Sequence, residues 1–508
     1  MVSTFHGLEM AKRALNAQQS ALYTTSHNIS NANTVGYTRQ RVNFEQMNSL
    51  SVSREPGGVV SGVGSGVQAG SIERIRDQFL DTQYRKENSK FGYYATNASA
   101  LKQMENLLNE PTEEGLAFVL EDFFNSLQDL NGSADHSGTR TVVAQRAEAV
   151  VETFRYLASS IQDVQDDLKN QIDVTEEDIN SMLRQIANIN NEIAGIEPHG
   201  LVPNDLYDER DRLIDSLSTI IDIEVSYDKS SGQPSPIAEG IATIELRNGE
   251  ERINLVDGKT RSHSEVKIIP GENNNISQIT VTNDHPDVEI DNGTINAFEF
   301  KSIGSLQSLF EMNGYIDENN EAVGYYNEVK ADLETMLTTY VDKFNEVHRA
   351  GFDLDGDPGV NFFIFENPDD QLGSIAVNPD ILANPDLIAA SLTPDGGTGD
   401  GTNAINLAEV YNDLDVGLGT RTSVKSFYQS LIGELGVRAN EANRMQTNSQ
   451  VLRQQVEENR MAVSSVSLDE EITNLIKFQH AYNAAARSMT AVDEMLDRII
   501  NNMGLVGR

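Results

Sequence analysis

The residues of this chain that could do chemistry are its carboxylates and its eight histidines. Asp353, Asp355 and Asp357 begin a segment with the spacing of a calcium-binding EF-hand loop. Position six of such a loop needs glycine and position twelve needs a bidentate glutamate, but those positions hold Pro358 and Ile364. The sequence therefore predicts a solvated acidic turn here, and no calcium site.

The other reactive side chains form no recognised catalytic or metal-binding pattern. No two histidines have the spacing of metal ligands, and the chain has neither cysteine nor a Gly-x-Ser-x-Gly motif. Residues 208–212 alternate acidic and basic side chains, which is typical of a solvated helix face. We expect no catalytic residue, no cofactor and no metal. A secreted hydrolase that uses two carboxylates of the acidic segment on a glycoside stays an alternative.

Composition limits the partners of this chain. Its formal charge of −40 argues against nucleic acid and anionic membranes, which bind clustered lysine and arginine. No apolar run is long enough to span a membrane, and the first residues lack a signal-peptide core, so we expect no membrane insertion and no cleaved signal. The charge is uneven, because residues 1–41 carry four basic side chains and one acidic one.

Both ends of the chain carry helical apolar stripes that neither end could bury alone. The stripes have the alternating three- and four-residue spacing of a coiled-coil seam. This layout is typical of a subunit that polymerises. The C-terminal stripe contains one charged residue, Glu471. The stripes are Met1, Thr4, Leu8, Ala11, Leu15, Gln18, Leu22, Thr25 and Ile29, and Leu468, Glu471, Leu475, Phe478, Tyr482, Ala485, Met489, Val492, Leu496, Ile499 and Met503.

Between the ends, helical periodicity predicts long helices, and a period of two predicts an inserted β domain. The helices are expected at 139–194, 204–220, 326–349 and 422–463, and a helical pattern also runs from Ile72 through Leu108. The fold class is therefore mainly α with an inserted β domain. We expect a terminal coiled-coil assembly domain (1–41 and 467–508), a helical rod domain (42–221, 304–349 and 421–466), the β domain (222–303) and an acidic loop-rich insertion attached to the rod (350–420).

Two terminal motifs resemble those of a known family. Residues 28–40, NISNANTVGYTRQ, resemble the N-terminal motif shared by the axial rod, hook and junction proteins of the bacterial flagellum. Residues 475–487, LIKFQHAYNAAAR, resemble the C-terminal motif of the same family. Residues 72–85, 204–213 and 460–471 resemble the junction members. Ala485 stands where hook proteins usually have asparagine, which mildly favours a junction protein.

The resemblance implies a structural adaptor between hook and filament, with no enzymatic activity. It would be exported through the flagellar type III apparatus, have disordered ends before assembly, and lie outside the cell at the junction. The implied partners are identical subunits in a ring, the hook protein, a second junction protein (hook-associated protein 3) and an export chaperone. Alternatives are another axial subunit, of hook or rod, and a secreted surface adhesin.

The resemblance and the seam spacing together give the residues expected at the polymer interface. They are Leu8, Leu15, Leu22, Ile29, Asn31, Asn33, Gly36, Tyr37, Leu475, Phe478, Tyr482, Met489, Val492, Leu496 and Ile499.

Overall fold

The computed structural model describes residues 4–47, 66–108, 115–288, 293–394 and 397–502. Long helices dominate it, and the predicted class, mainly α with an inserted β region, is confirmed. The helices are α1 Thr4–Asn31, α2 Gln78–Leu108, α3 Leu116–Gly132, α4 Ser137–Ile196, α5 Asn204–Ile220, α6 Ser305–Asn313, α7 Tyr325–Ala350, α8 Gln371–Ser374, α9 Pro379–Ala383, α10 Thr402–Glu409, α11 Val424–Ser464 and α12 Leu468–Asn502.

The strands form small antiparallel sheets between these helices. The strands are β1 Gln40–Gln46, β2 Val67–Arg74, β3 Ile223–Asp228, β4 Ile241–Asn248, β5 Glu251–Val256, β6 Glu265–Pro270, β7 Ile276–Thr282, β8 Thr294–Asn296, β9 Tyr315–Ile316, β10 Ala322–Val323, β11 Phe363–Phe365 and β12 Ile375–Val377.

The inserted β region consists of two sheets. One has the order β3-β4-β5, and the hairpin between β4 and β5 turns at Gly249, whose φ of 64° suits glycine. The other sheet contains β6, β7 and β8, and β9 joins β7 in parallel. This second sheet therefore continues beyond residue 303, where the sequence pattern placed the end of the insertion.

Helix α4 is the central helix of the structure, because one side of it is buried along most of its 60 residues. Its apolar positions recur every three or four residues, which places them on one face. The helix ends at Ile196, and a short turn containing Pro198 and Gly200 follows it; Gly200 has a φ of 78°, in the left-handed region. Helices α3, α5 and α6 pack against α4.

The segment from 350 to 420 is more folded than a solvated loop. Phe362 and Phe363 are buried and stack with Phe123 and Phe344, so this segment shares a core with α3 and α7. The predicted solvated acidic turn is wrong at Asp353, which is buried and accepts hydrogen bonds from the backbone N–H groups of residues 355 and 357. The carboxylate stabilises the turn internally.

A helical pattern was expected from Ile72 onward, but the structure shows a strand there. β2 continues to Arg74 and pairs with β1, and α2 begins only at Gln78. A strand forms there in place of a helix because Ile72 pairs with Val42 of β1 in the antiparallel ladder. We call α1, β1, β2 and α12 the terminal unit, and the remaining elements the body.

Two further properties concern the described ranges only. No helix within them is both long and apolar enough to cross a membrane. Nor does any group of three or more histidine, aspartate or glutamate side chains there have an arrangement suited to a metal ion.

Candidate assembly site

The two ends of the chain meet as an antiparallel pair of helices. Asn28, near the end of α1, donates from Nδ2 to Glu471 Oε2, near the start of α12, at 3.1 Å. A Cβ atom at Gly7 would lie 3.6 Å from Cγ2 of Val492, toward the other ends of the same helices. This register places Leu22 level with the turn of α12 that contains Leu475 and Phe478, so the two terminal stripes run alongside each other.

Two alanines are the most deeply buried apolar side chains of α1. Ala17 and Ala21 of α1 are 1% exposed, whereas Leu8, Leu15, Leu22 and Ile29 are half-buried. On α12, Leu496 is buried, Ile499 is exposed, and the other predicted positions are half-buried, namely Leu475, Phe478, Tyr482, Met489 and Val492. Because its leucines are partly exposed to solvent, this helix pair leaves apolar surface that a further contact could bury.

Glu471 is the polar centre of the seam. Its carboxylate is 2% exposed, and it accepts hydrogen bonds from Arg39 Nε at 2.8 Å and from Asn28 Nδ2. Asn28 is itself held on both sides, because its Nδ2 donates to the carbonyl of Gln40 and its Oδ1 accepts from the Gln40 N–H. A single polar residue on an apolar seam fixes register, since any slip leaves it unpaired.

The motif loop, residues 31–38, closes the end of α1. Gly36 has a φ of 84°, in the left-handed region that glycine occupies at little cost. Tyr37 donates from its hydroxyl to Asn28 Oδ1 at 2.7 Å, and burial together with the nearby carboxylate of Asp208 raises the pKa of Tyr37. Asn31 is half-buried and Asn33 is exposed. The loop therefore tethers α1 through Tyr37 and leaves Asn33 accessible.

A second apolar stripe on α12 points away from α1. Leu468, Ile472 and Ile476 follow each other at four-residue spacing and are 46%, 48% and 48% exposed. Large side chains aligned in this way on a soluble protein commonly mark an interaction surface. Sequence reasoning missed this stripe because Ile472 and Ile476 lie beside the seam in the periodic pattern; it placed Leu468 on the seam, where the structure leaves that residue 46% exposed.

Sequence reasoning also missed Asn28 and Arg39 as site residues. Asn28 belongs to the recognised motif, and Glu471 was visible as the one charge on the seam. No local pattern joins Arg39 to Glu471, however, because 432 residues separate them.

The expectation of a solvated helix face at residues 208–212 is wrong for three of the five residues. Asp208, Arg210 and Asp211 are buried, whereas Glu209 and Arg212 are exposed and pair with each other. Arginines from distant segments surround these carboxylates and that of the neighbouring Asp215; they are Arg74, Arg76, Arg85 and Arg460.

The buried carboxylates respond differently to this environment. Burial alone would raise the pKa of Asp211, but the guanidinium groups of Arg76 and Arg74 outweigh it and hold that pKa well below its usual range. Burial raises the pKa of Asp208, against the opposing effect of Arg74. Asp211 is therefore the firmly ionised centre of the cluster.

Comparisons with known proteins agree on one family. A family profile described as "Flagellar hook-associated protein FlgK helical domain" matches residues 101–363. The profile "Flagella basal body rod protein" matches residues 8–38, and "Flagellar basal body rod FlgEFG protein C-terminal" matches residues 457–503. The two rod profiles thus cover the helices that meet in the terminal unit.

Full-length relatives and a solved structure extend this likeness. Flagellar hook-associated protein 1 of Bacillus subtilis (strain 168) is 44% identical over 518 residues, covering 100% of both chains. The protein of that name from Escherichia coli (strain K12) is 24% identical and covers 97% of this chain and 98% of its own. The flagellar hook junction protein FlgK from Burkholderia pseudomallei shares the fold, with a TM-score of 0.59 at 14% identity; the match covers 77% of this chain and 100% of that one.

Proposed function

The chain belongs to the flagellar hook-associated protein 1 family, and we propose that it is the structural subunit that joins hook to filament. The observation that carries this proposal is the match over the full length of both chains to a protein of that name. The family is one of flagellar structural components, so we also propose that the chain is not an enzyme and takes no cofactor.

We propose that the subunit polymerises through the terminal unit. Two features of α12 support this proposal. The seam residues Leu475 and Met489 are only half-buried against α1, and the stripe Leu468, Ile472 and Ile476 is about half exposed. Contact with identical subunits in a ring would remove both surfaces from water, at about 25 cal/mol for each Å² of apolar area. Residues 1–41 and 467–508 together carry eight basic and seven acidic side chains, so these ends add little repulsion between like copies of an acidic chain.

The remaining partners follow from the place of such a subunit in the flagellum. Below the ring lies the hook protein, and above it the second junction protein, hook-associated protein 3. An export chaperone would hold the chain before passage through the flagellar type III apparatus, without cleavage of a signal. The site of action would be outside the cell.

We also propose the domain division inferred from the sequence, in which residues 1–41 and 467–508 form the assembly domain. The β region and the segment from 350 to 420 would then be attached to the helical rod. Both have buried side chains of their own, for example Ile244 in β4 and Ile375 in β12, which supports treating them as packed extensions of the rod.

The proposed position can be tested by immunogold labelling of isolated flagella, with an antibody raised against residues 223–303. We expect a discrete band of label where the hook meets the filament. Label along the whole hook would favour a hook subunit, and flagella without label would contradict the proposal. A chain that lacks residues 223–303 supplies the matched control, because its flagella should carry no label.

A further inference from the structure

The chain passes between the terminal unit and the body at two places, residues 74–78 and residues 464–468. Arg74 and Arg76 stand at the first crossing, directly after the hairpin. Arg460 stands one turn before the second crossing, near the end of α11. All three guanidinium groups reach the same helix of the body, α5.

Helix α5 presents its carboxylates on one face. Asp208, Asp211 and Asp215 follow each other at spacings of three and four residues, so their side chains project to the same side. Each of the three is buried or nearly so, with side-chain exposures of 10%, 3% and 12%. We call these three residues the acidic face of α5.

The first crossing binds the acidic face through two arginines. Arg74 places Nη1 2.6 Å from Asp208 Oδ1 and Nη2 2.9 Å from Asp211 Oδ2. Arg76 places Nη1 3.2 Å from the same Asp211 oxygen. The Arg74 side chain is 1% exposed, so these pairs are shielded from competing water and salt.

The end of α11, the body helix that leads into the second crossing, binds the remaining member of the face. Arg460 donates from Nη1 to Asp215 Oδ2 at 2.7 Å, and its guanidinium lies over the ring of Tyr84, 4.5 Å from the centroid. Four residues later, the carbonyl of Ser464 accepts the backbone N–H of Arg39 at 2.9 Å. The end of α11 is thereby tied both to α5 and to the segment that follows α1.

The motif loop reaches the acidic face directly. The backbone N–H of Thr38 donates to Asp208 Oδ2 at 3.1 Å, and Gln40 Nε2 donates to Asp205 Oδ1 at 3.2 Å. Asn204, at the start of α5, donates from Nδ2 to the carbonyl of Ile72 in β2. One helix thus contacts the loop after α1, the hairpin and both chain crossings.

We propose that the acidic face of α5 is a clamp that fixes the terminal unit on the body and sets the direction in which α1 and α12 project. Two chain crossings alone would leave the direction of α1 and α12 free, because each crossing is a short segment outside any helix or strand and is not rigid. Shielded charge pairs at both crossings remove this freedom. All of the contacts that form the clamp lie within one chain.

The clamp can be measured on the purified full-length chain, which has no native cysteine. A Cβ atom at Gly36 would lie 3.6 Å from the Arg212 Cβ, within the range of a disulfide. In the variant G36C/R212C, equilibration with a glutathione buffer gives the effective concentration of the two thiols. The effective concentration reports how tightly the motif loop packs against α5, even when the two thiols are in contact in only a minor fraction of the molecules. The positive φ at residue 36 strains the backbone of a cysteine there, but this strain is the same in every variant. It therefore cancels when the effective concentrations of two variants are compared as a ratio.

We expect Asp208→Ala and Arg460→Met each to lower this effective concentration at least tenfold. Glu209→Ala is the matched control, because Glu209 lies on the exposed side of α5 and pairs only with the residue already replaced; it should change the value less than twofold. Equal values in all backgrounds would overturn the proposal, and so would a thiol pair that fails to close in the unaltered background.

Neither test variant should unfold the body. Without Asp208, the guanidinium of Arg74 still pairs with Asp211 and Glu239. Without Arg460, the carboxylate of Asp215 still pairs with Arg85. Circular dichroism at the temperature of the measurement verifies folding, and Arg460→Lys, which keeps the charge, should recover part of the lost effective concentration.

Discussion

Arg39 donates from Nε to Glu471 Oε1 at 2.8 Å and so joins the segment after α1 to the first turn of α12. Glu471 is 2% exposed, and its second oxygen accepts from Asn28, so both oxygens of this carboxylate are used. The burial of this one charge among apolar seam positions defines how the two ends of the chain align. It also makes the alignment sensitive to a single substitution.

Replacement of Glu471 by alanine should weaken the terminal unit by about 1–3 kcal/mol, because it removes a buried acceptor, although Arg39 keeps Glu470 and Asn28 keeps the carbonyl of Gln40. Tryptic cleavage within α12, monitored across a denaturant series on isolated flagella, would measure the loss. Glu470→Ala is the matched control, since Glu470 pairs with the same arginine but its side chain is 58% exposed; it should cost under about 1 kcal/mol. Equal losses in the two variants would contradict this account.

The antiparallel register can be tested by a disulfide between Gly7→Cys and Val492→Cys. The Cβ position at residue 7 lies in contact with the Val492 side chain, so the two sulfurs can meet without movement of the helices. We expect the bridge to form on mild oxidation, seen as a mobility shift that is reversed by reductant. Gly7→Cys with Met495→Cys should not close, because Met495 is 54% exposed and faces away from α1.

Much of the helical framework could be predicted from the sequence, because its signals are local. The periodic stripe of α4 predicted its bounds to within two or three residues, and Ser423, which caps α11 through a capping box with Ser426, marks the start of that helix. The acidic face of α5 could not be predicted. The mixture of acidic and basic residues at 208–212 suits a solvated helix equally well. The arginines that bury the acidic face come from more than 100 residues away.

Part of the candidate site was also predictable, because the signals of that part are local. The seam residues followed from spacing within each end, and the resemblance supplied the motif loop. The sequence did not reveal that Ala17 and Ala21 are the most deeply buried apolar residues of α1, because alanine adds little to an apolar pattern. It also gave no sign that the stripe beginning at Leu468 stays exposed, since exposure depends on where α1 lies.

His348 should make the stability of the body depend on pH. Its Nδ1 donates to the carbonyl of Val360 and its Nε2 accepts from the N–H of Ala389, an arrangement that needs the neutral ring. Burial, and secondarily the charge of Arg140, lowers the pKa of His348 to about 4, although the Val360 carbonyl and Asp353 oppose this.

The folded pKa of His348 lies below the unfolded value of about 6.5, so the unfolded chain binds the extra proton between these values. Stability should be unaffected by His348 above pH 6.5 and should fall by about 3 kcal/mol as the pH is lowered to 4. Urea unfolding at several pH values would measure this fall. His348→Asn should start less stable and lack that part of the fall.

Introduction of a charge into the seam should abolish assembly while the body stays folded. Met489 is half-buried between α12 and α1, so Met489→Glu would place a carboxylate among apolar side chains, at a cost on the order of several kcal/mol. We expect cells that carry this variant to lose swimming, although the purified chain keeps the unfolding transition of its body. Thr490→Glu puts the same charge on the next, exposed residue and should preserve swimming. Normal motility in the Met489→Glu strain would show that the seam does not form the polymer contact.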